Sequence, residues 1–131
     1  MSATRIVLVD DDDNIAALLA ANFEIDRRFE LVGRARDGRA AIEMVQQLRP
    51  DAVLMDLHMP VLDGVAATRA LLAQMPDACI IAFTSSDDPV EHQAARDAGA
   101  TAVLRKPFDP ERFLDGLAAH AHRCAQTATA A

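Results

Sequence analysis

Five short apolar runs alternate with five helical patterns along this chain, and no other feature constrains its fold as tightly. The runs are Arg5-Ile6-Val7-Leu8-Val9, Leu31 to Ala35 with Gly33 as an interruption, Ala52 to Met55, Cys79 to Phe83, and Thr101 to Leu104. Within them apolar residues are continuous rather than alternating, the pattern of strands covered on both faces. Between them, apolar residues recur at helical spacing. Ile15, Leu18, Leu19 and Phe23 form one stripe, with Asn22 as its polar break. Ala41, Met44, Val45 and Leu48 form a second, and Leu71 with Leu72 marks a helix from Val65 to Gln74. Val90, Ala94, Ala95 and Ala98 make a thin fourth, and Phe113, Leu114, Leu117, Ala118 and Ala121 a fifth. Starts and stops agree with this reading: Asp37-Gly38, Asp87-Asp88-Pro89 and Asp109-Pro110 open helices, and Pro50 and Gly99 close them. Strict strand–helix alternation predicts an α/β fold, with a parallel sheet, right-handed crossovers and helices on both faces.

At 131 residues this is one domain, expected over residues 1–124, and the small, polar stretch at 125–131 reads as a flexible tail. That tail resembles the start of a linker to an output domain. The net charge of −7 argues against nucleic-acid binding by this domain itself. No apolar run approaches a membrane span and no signal-peptide pattern opens the chain, so a cytoplasmic location is expected. Cys79 and Cys124 show neither a disulfide framework nor metal-ligand spacing, and are expected as reduced thiols.

In a parallel α/β sheet, ligands sit outside the carboxyl ends of the strands. Four of these strands deliver polar chemistry to that edge: Asp10-Asp11 after the first, Asp56 after the third, Thr84 after the fourth and Lys106 after the fifth. Three converging carboxylates repel one another, and a hard divalent cation, Mg²⁺ or Mn²⁺, lets them coexist. One carboxylate nucleophile, a cation, a lysine and a hydroxyl together suit phosphoryl transfer to aspartate. Asp56 is the expected acceptor, Lys106 and the metal neutralise phosphoryl oxygens, and Thr84 hydrogen-bonds one of them.

With V-D-D at Val9 to Asp11, D-L-H-M-P-V-L-D-G at Asp56 to Gly64, T-S at Thr84-Ser85 and K-P-F at Lys106 to Phe108, the chain resembles a response-regulator receiver domain. This is the phospho-acceptor module of two-component signalling. The resemblance spans Arg5 to about Arg123. It implies a flavodoxin-like, doubly wound sheet of strand order 2-1-3-4-5. It also implies metal ligation by the side chains of Asp11 and Asp56, by Asp10 through a water, and by the backbone carbonyl of His58. The implied phosphodonor is a sensor histidine kinase or a histidine phosphotransfer protein. The implied output is a shifted conformational equilibrium at the face of helix 4, strand 5 and helix 5, which alters binding of an effector or output domain, or dimerisation. The chain departs from the family pattern at Val103, where an aromatic residue usually couples to the threonine.

Blander readings apply to other residues. Asp12 and Asp13 are expected to cap a helix, His92, His120 and His122 to lie on the surface, and the methionines to fill the core. Two alternatives to a receiver are a Mg²⁺-dependent aspartyl-phosphate phosphohydrolase and a binding module independent of phosphorylation. The first lacks a second acid two residues after Asp56, where His58 stands, and lacks any insertion to cap a substrate pocket.

Overall fold

The computed structural model describes residues 3–106 and 109–130. Pro107 and Phe108 of the K-P-F motif lie outside the described residues. The elements follow in the expected order: β1 (Thr4–Val9), α1 (Asp13–Ile25), β2 (Phe29–Ala35), α2 (Gly38–Leu48), β3 (Ala52–Asp56), α3 (Gly64–Gln74), β4 (Ile80–Thr84), α4 (Pro89–Asp97), β5 (Ala102–Arg105) and α5 (Pro110–Ala130). All strand pairs are parallel and the sheet order is β2-β1-β3-β4-β5, as expected. Helix α5 continues to Ala130, within the stretch read from sequence as a tail.

The continuous apolar runs have a simple cause. Successive side chains of β1 enter opposite faces of the sheet, and both faces are covered. Ile6 and Leu8 join Leu54, Ile81 and Phe83 beneath α1 and α5, where Leu19, Phe23, Phe113 and Leu117 meet them. Val7 and Val9 join Val53, Met55 and Ile80 on the other side, beneath Ala41 and Val45 of α2 and Ala67 and Leu71 of α3. A smaller third cluster, Leu57, Ala82, Ala95 and Ala100, seats α4. Each helix begins where the sequence offers a carboxylate: Asp12, Asp37, Asp63 and Asp88 accept backbone N–H groups at the N-caps of α1, α2, α3 and α4, and Asp109 accepts from Glu111 N at 3.1 Å at the start of α5.

Three further expectations change. Leu18 is 48% exposed, because the buried stripe of α1 runs through Ala16, Leu19 and Phe23. Val90 is 75% exposed for a similar reason: α4 reaches the core through Ala95, one turn further along. Cys79 and Cys124 are not free thiols. They form a disulfide between the segment entering β4 and the later turns of α5, with Cα atoms 5.8 Å apart. Two cysteines 45 positions apart carry no sign of this in sequence, since the docking of α5 on the sheet brings them together.

Candidate functional site

Strand order sets the site. Because β1 pairs with β3 in the register Val9↔Met55, the chain leaving β1 at Asp10 lies beside the end of β3, where Asp56 is the last strand residue. One carboxylate oxygen each from Asp10, Asp11 and Asp56 lies within 4.8 Å of the others. Asp10 and Asp56 are buried and Asp11 is exposed. Three hard oxygen donors with one side open to solvent fit a divalent cation that retains some of its waters.

Lys106, leaving β5, reaches the same point. Its Nζ lies 2.7 Å from Asp10 Oδ2 and 3.6 Å from Asp56 Oδ1, and its side chain is only 12% exposed. The ammonium also lies 4.9 Å from the centre of the Phe83 ring, an apolar wall that keeps it aimed at the acids. Thr84 ends β4 fully buried. Its Oγ1 accepts from Ser86 N at 3.1 Å, and its carbonyl accepts from Lys106 N at 2.9 Å, which ties the ends of β4 and β5 together. Backbone amides hold the acids too: His58 N donates to Asp56 Oδ1 at 3.3 Å, and Asp12 N to Asp10 Oδ1 at 2.9 Å.

Sequence reading missed two supports. Arg34 on β2 clamps the Asp10 carbonyl with two donors, Nε at 3.1 Å and Nη2 at 2.8 Å. Its Nη1 pairs with Asp13 at 2.9 Å, and Arg36 pairs with the same carboxylate at 2.7 Å. These contacts hold the Asp13 carboxyl below its usual range, the Arg34 hydrogen bond first among them. Asp12 is therefore the cap of α1, while Asp13 is an ion-pair partner of β2. The second support involves His58, whose side chain is 62% exposed and reaches α4. Its Nε2 lies 2.9 Å from Glu91 Oε1 on α4, and the other Glu91 oxygen accepts from the Ser86 hydroxyl. His92 is not an idle surface residue either, because its Nε2 lies 2.7 Å from the Ser86 carbonyl. His120 likewise meets Arg123. An acid three residues into a helix gives no sign in sequence of which loops it will bridge.

The charge balance has a measurable consequence. Burial pushes the Asp56 carboxyl from 3.8 up to about 6, with Lys106 pulling it down and Asp10 adding a further upward push. A raised carboxyl pKa means that the folded chain binds the proton more tightly than the unfolded chain does. The associated stability is present below pH 3.8 and is lost as pH rises through about 6. Asp56→Asn is thus expected to match the parent at low pH and to exceed it in urea midpoint above pH 6, both in chelator. A variant less stable than the parent at pH 8 would contradict this.

Comparison with known proteins places the chain. The family profile described as "Response regulator receiver domain" matches residues 6–118. The protein-glutamate methylesterase/protein-glutamine glutaminase 4 of Myxococcus xanthus is 39% identical over 82% of this chain and 31% of its own length. The transcriptional regulatory protein PrrA of Mycobacterium leprae is 37% identical over 98% of this chain and 54% of its own. Among solved structures, a two-component response regulator of the LuxR family from Aurantimonas sp. SI85-9A1 superposes with a TM-score of 0.86 at 29% identity, covering 92% of this chain and 86% of that one. The chain spans roughly a third to a half of the curated relatives named here. Motifs, strand order, clustered acids and family profile agree: the chain belongs to the response regulator receiver domain family of two-component systems.

Proposed function

We propose that Asp56 is the phosphoryl acceptor of this receiver, with Asp11 and Asp56 as side-chain ligands of Mg²⁺ or Mn²⁺, Asp10 acting through a bound water, and the His58 backbone carbonyl as a further ligand. The observation that carries the reading is the meeting of three carboxylates within 4.8 Å, two of them paired with a lysine ammonium that is nearly withdrawn from water. The donor is a phosphohistidine of a sensor kinase or a histidine phosphotransfer protein. An Asp56 carboxylate oxygen attacks phosphorus, the P–N bond breaks, and the imidazole of the donor leaves with its electron pair. When bound, the metal supplies positive charge to the phosphoryl oxygens. Lys106, already between Asp10 and Asp56, adds a second fixed charge on the same group. Thr84 presents its hydroxyl as a donor to a phosphoryl oxygen.

The relatives include transcriptional regulatory proteins longer than this chain, which supports a downstream output domain or effector as the receiver of the signal. The face of α4, β5 and α5 is the proposed surface for that partner or for a second copy of the chain. Among the described residues no helix is long and apolar enough to cross a membrane, and a cytoplasmic location is part of the proposal.

Incubation with acetyl phosphate and Mg²⁺, followed by intact-mass spectrometry, tests the reading. The parent chain is expected to gain one hydroxylamine-labile phosphoryl group, and Asp56→Asn none. A variant that gains the group as the parent does would remove Asp56 from the role.

A further inference from the structure

The polar contacts around Asp56 close into a ring that passes through α4. His58 N donates to Asp56 Oδ1, the His58 imidazole meets Glu91, Glu91 accepts from the Ser86 hydroxyl, and Ser86 N donates to Thr84 Oγ1. Thr84 ends β4 at the position following Phe83, the register partner of Asp56. Four of the five residues belong to strand ends or the loops that follow them, and Glu91 alone of the five lies on a helix. The hydroxyl of Ser86 also accepts from Asp88 N at 3.1 Å, so the loop that opens α4 is organised by the same group that Glu91 holds.

We infer that Glu91 is a positioning residue: it latches the first turn of α4 to the two loops flanking Asp56, and a phosphoryl group on Asp56 releases it. The inference rests on the reading of Asp56 as acceptor. Two observations carry it. The apolar seat of α4 is slight, with Ala95 its buried residue and Val90 turned to solvent, so the polar ties of the first turn are a large share of what holds that end. In addition, both partners of Glu91 are tied to the site residues, His58 by its amide to Asp56 and Ser86 by its amide to Thr84. A phosphoryl group adds nearly two negative charges and three acceptor oxygens beside His58 and Thr84. It competes with Glu91 for the imidazole, repels the Glu91 carboxylate, and draws the Thr84 hydroxyl, together with the Ser86 amide bonded to it, toward itself. This path does not need an aromatic side chain at position 103, where the chain has valine.

Hydrogen exchange on the intact chain, with and without beryllofluoride plus Mg²⁺ as the acyl-phosphate mimic, separates the possibilities. Glu91→Ala is expected to speed exchange of amides 86–93 by about ten-fold in the unloaded chain, the scale of one charge-assisted hydrogen bond. It is also expected to abolish most of the further change on loading. Alanine is the better helix former, so intrinsic propensity alone would slow exchange instead. Glu91→Gln keeps an acceptor at the same reach and is expected to restore at least half of the lost protection. Both variants remove the charge that favours a helix N-terminus, so equal loosening by Gln and Ala would assign the effect to the helix dipole and overturn the latch. Parent-like exchange in Glu91→Ala would overturn it as well, as would a parent chain that binds beryllofluoride with no change in α4. A parent chain that binds no beryllofluoride in calorimetry and gains no phosphoryl mass instead overturns the acceptor reading beneath it.

Discussion

Gly64→Ala is expected to cost about 3 kcal/mol or more and to disable Asp56 at the same time. A Cβ at Gly64 would stand 2.0 Å from the Asp56 carbonyl oxygen and 2.8 Å from both the Asp56 carbonyl carbon and Leu57 Cα. These are backbone atoms leaving the central strand, with no flexible side chain to give way. The close approach is what allows Gly64 N to donate to Leu57 O at 3.2 Å, which seats α3 against the end of β3. Any relief moves Asp56 relative to Asp10 and Lys106, and a displacement near 1 Å in a positioned group can lower a rate on the order of 10²-fold. Urea denaturation followed by circular dichroism reads the first effect, and phosphoryl uptake from acetyl phosphate the second. Gly116→Ala is the internal control: within α5 its Cβ would meet Leu104 Cδ2 at an ordinary 3.9 Å. There alanine should add roughly 0.5–1 kcal/mol through helix propensity. Equal behaviour of the two variants would refute the steric account.

Reduction of the Cys79–Cys124 disulfide is expected to remove about 2–4 kcal/mol from the oxidised chain, because the bond closes a 45-residue loop in the unfolded state. In a domain of this size that lowers the melting temperature on the order of 10 °C. Thermal melts with and without dithiothreitol measure the shift. Cys124→Ser should reproduce the reduced melting temperature and lose all sensitivity to the reductant. A parent chain whose melting temperature ignores dithiothreitol would show that the bond contributes nothing. The effect should be confined to stability, because the bond joins the amino end of β4 to α5 while the acids sit at the opposite edge of the sheet.

The sheet and its polar edge were legible because each rests on a short-range signal. A strand covered on both faces is apolar throughout, and its end is visible where Asp10, Asp56 or Thr84 breaks the run. Once parallel order is inferred, those ends necessarily share an edge. What stayed hidden depends on geometry between elements. Arg34 reaches the Asp10 carbonyl only because of the register of β1 on β2, which includes an irregularity between Ile6 and Val7. Glu91 meets His58 only because two loops and a helix converge. Leu18 and Val90 share the spacing of buried neighbours, yet helix rotation places them in water. The cysteine pair needs the docking of α5, which sequence spacing cannot supply.

The seat of α4 has one more consequence. Where α1 and α5 press Leu19, Phe23 and Phe113 into one side of the sheet, α4 meets it through Ala95, with Ala82, Ala100 and Leu57 around it. Interlocked large side chains behave as a joint, because any sliding leaves voids that must be refilled. Methyl groups have no rotamers to reset and stand too low to catch on one another, so the contact of Ala95 with Ala82 and Ala100 offers little resistance to sliding, with Leu57, Val65 and Val103 at its border. Once the inferred Glu91 tie is undone, α4 is expected to shift at less packing cost than α1 or α5, which amide exchange confined to α4 on loading would register.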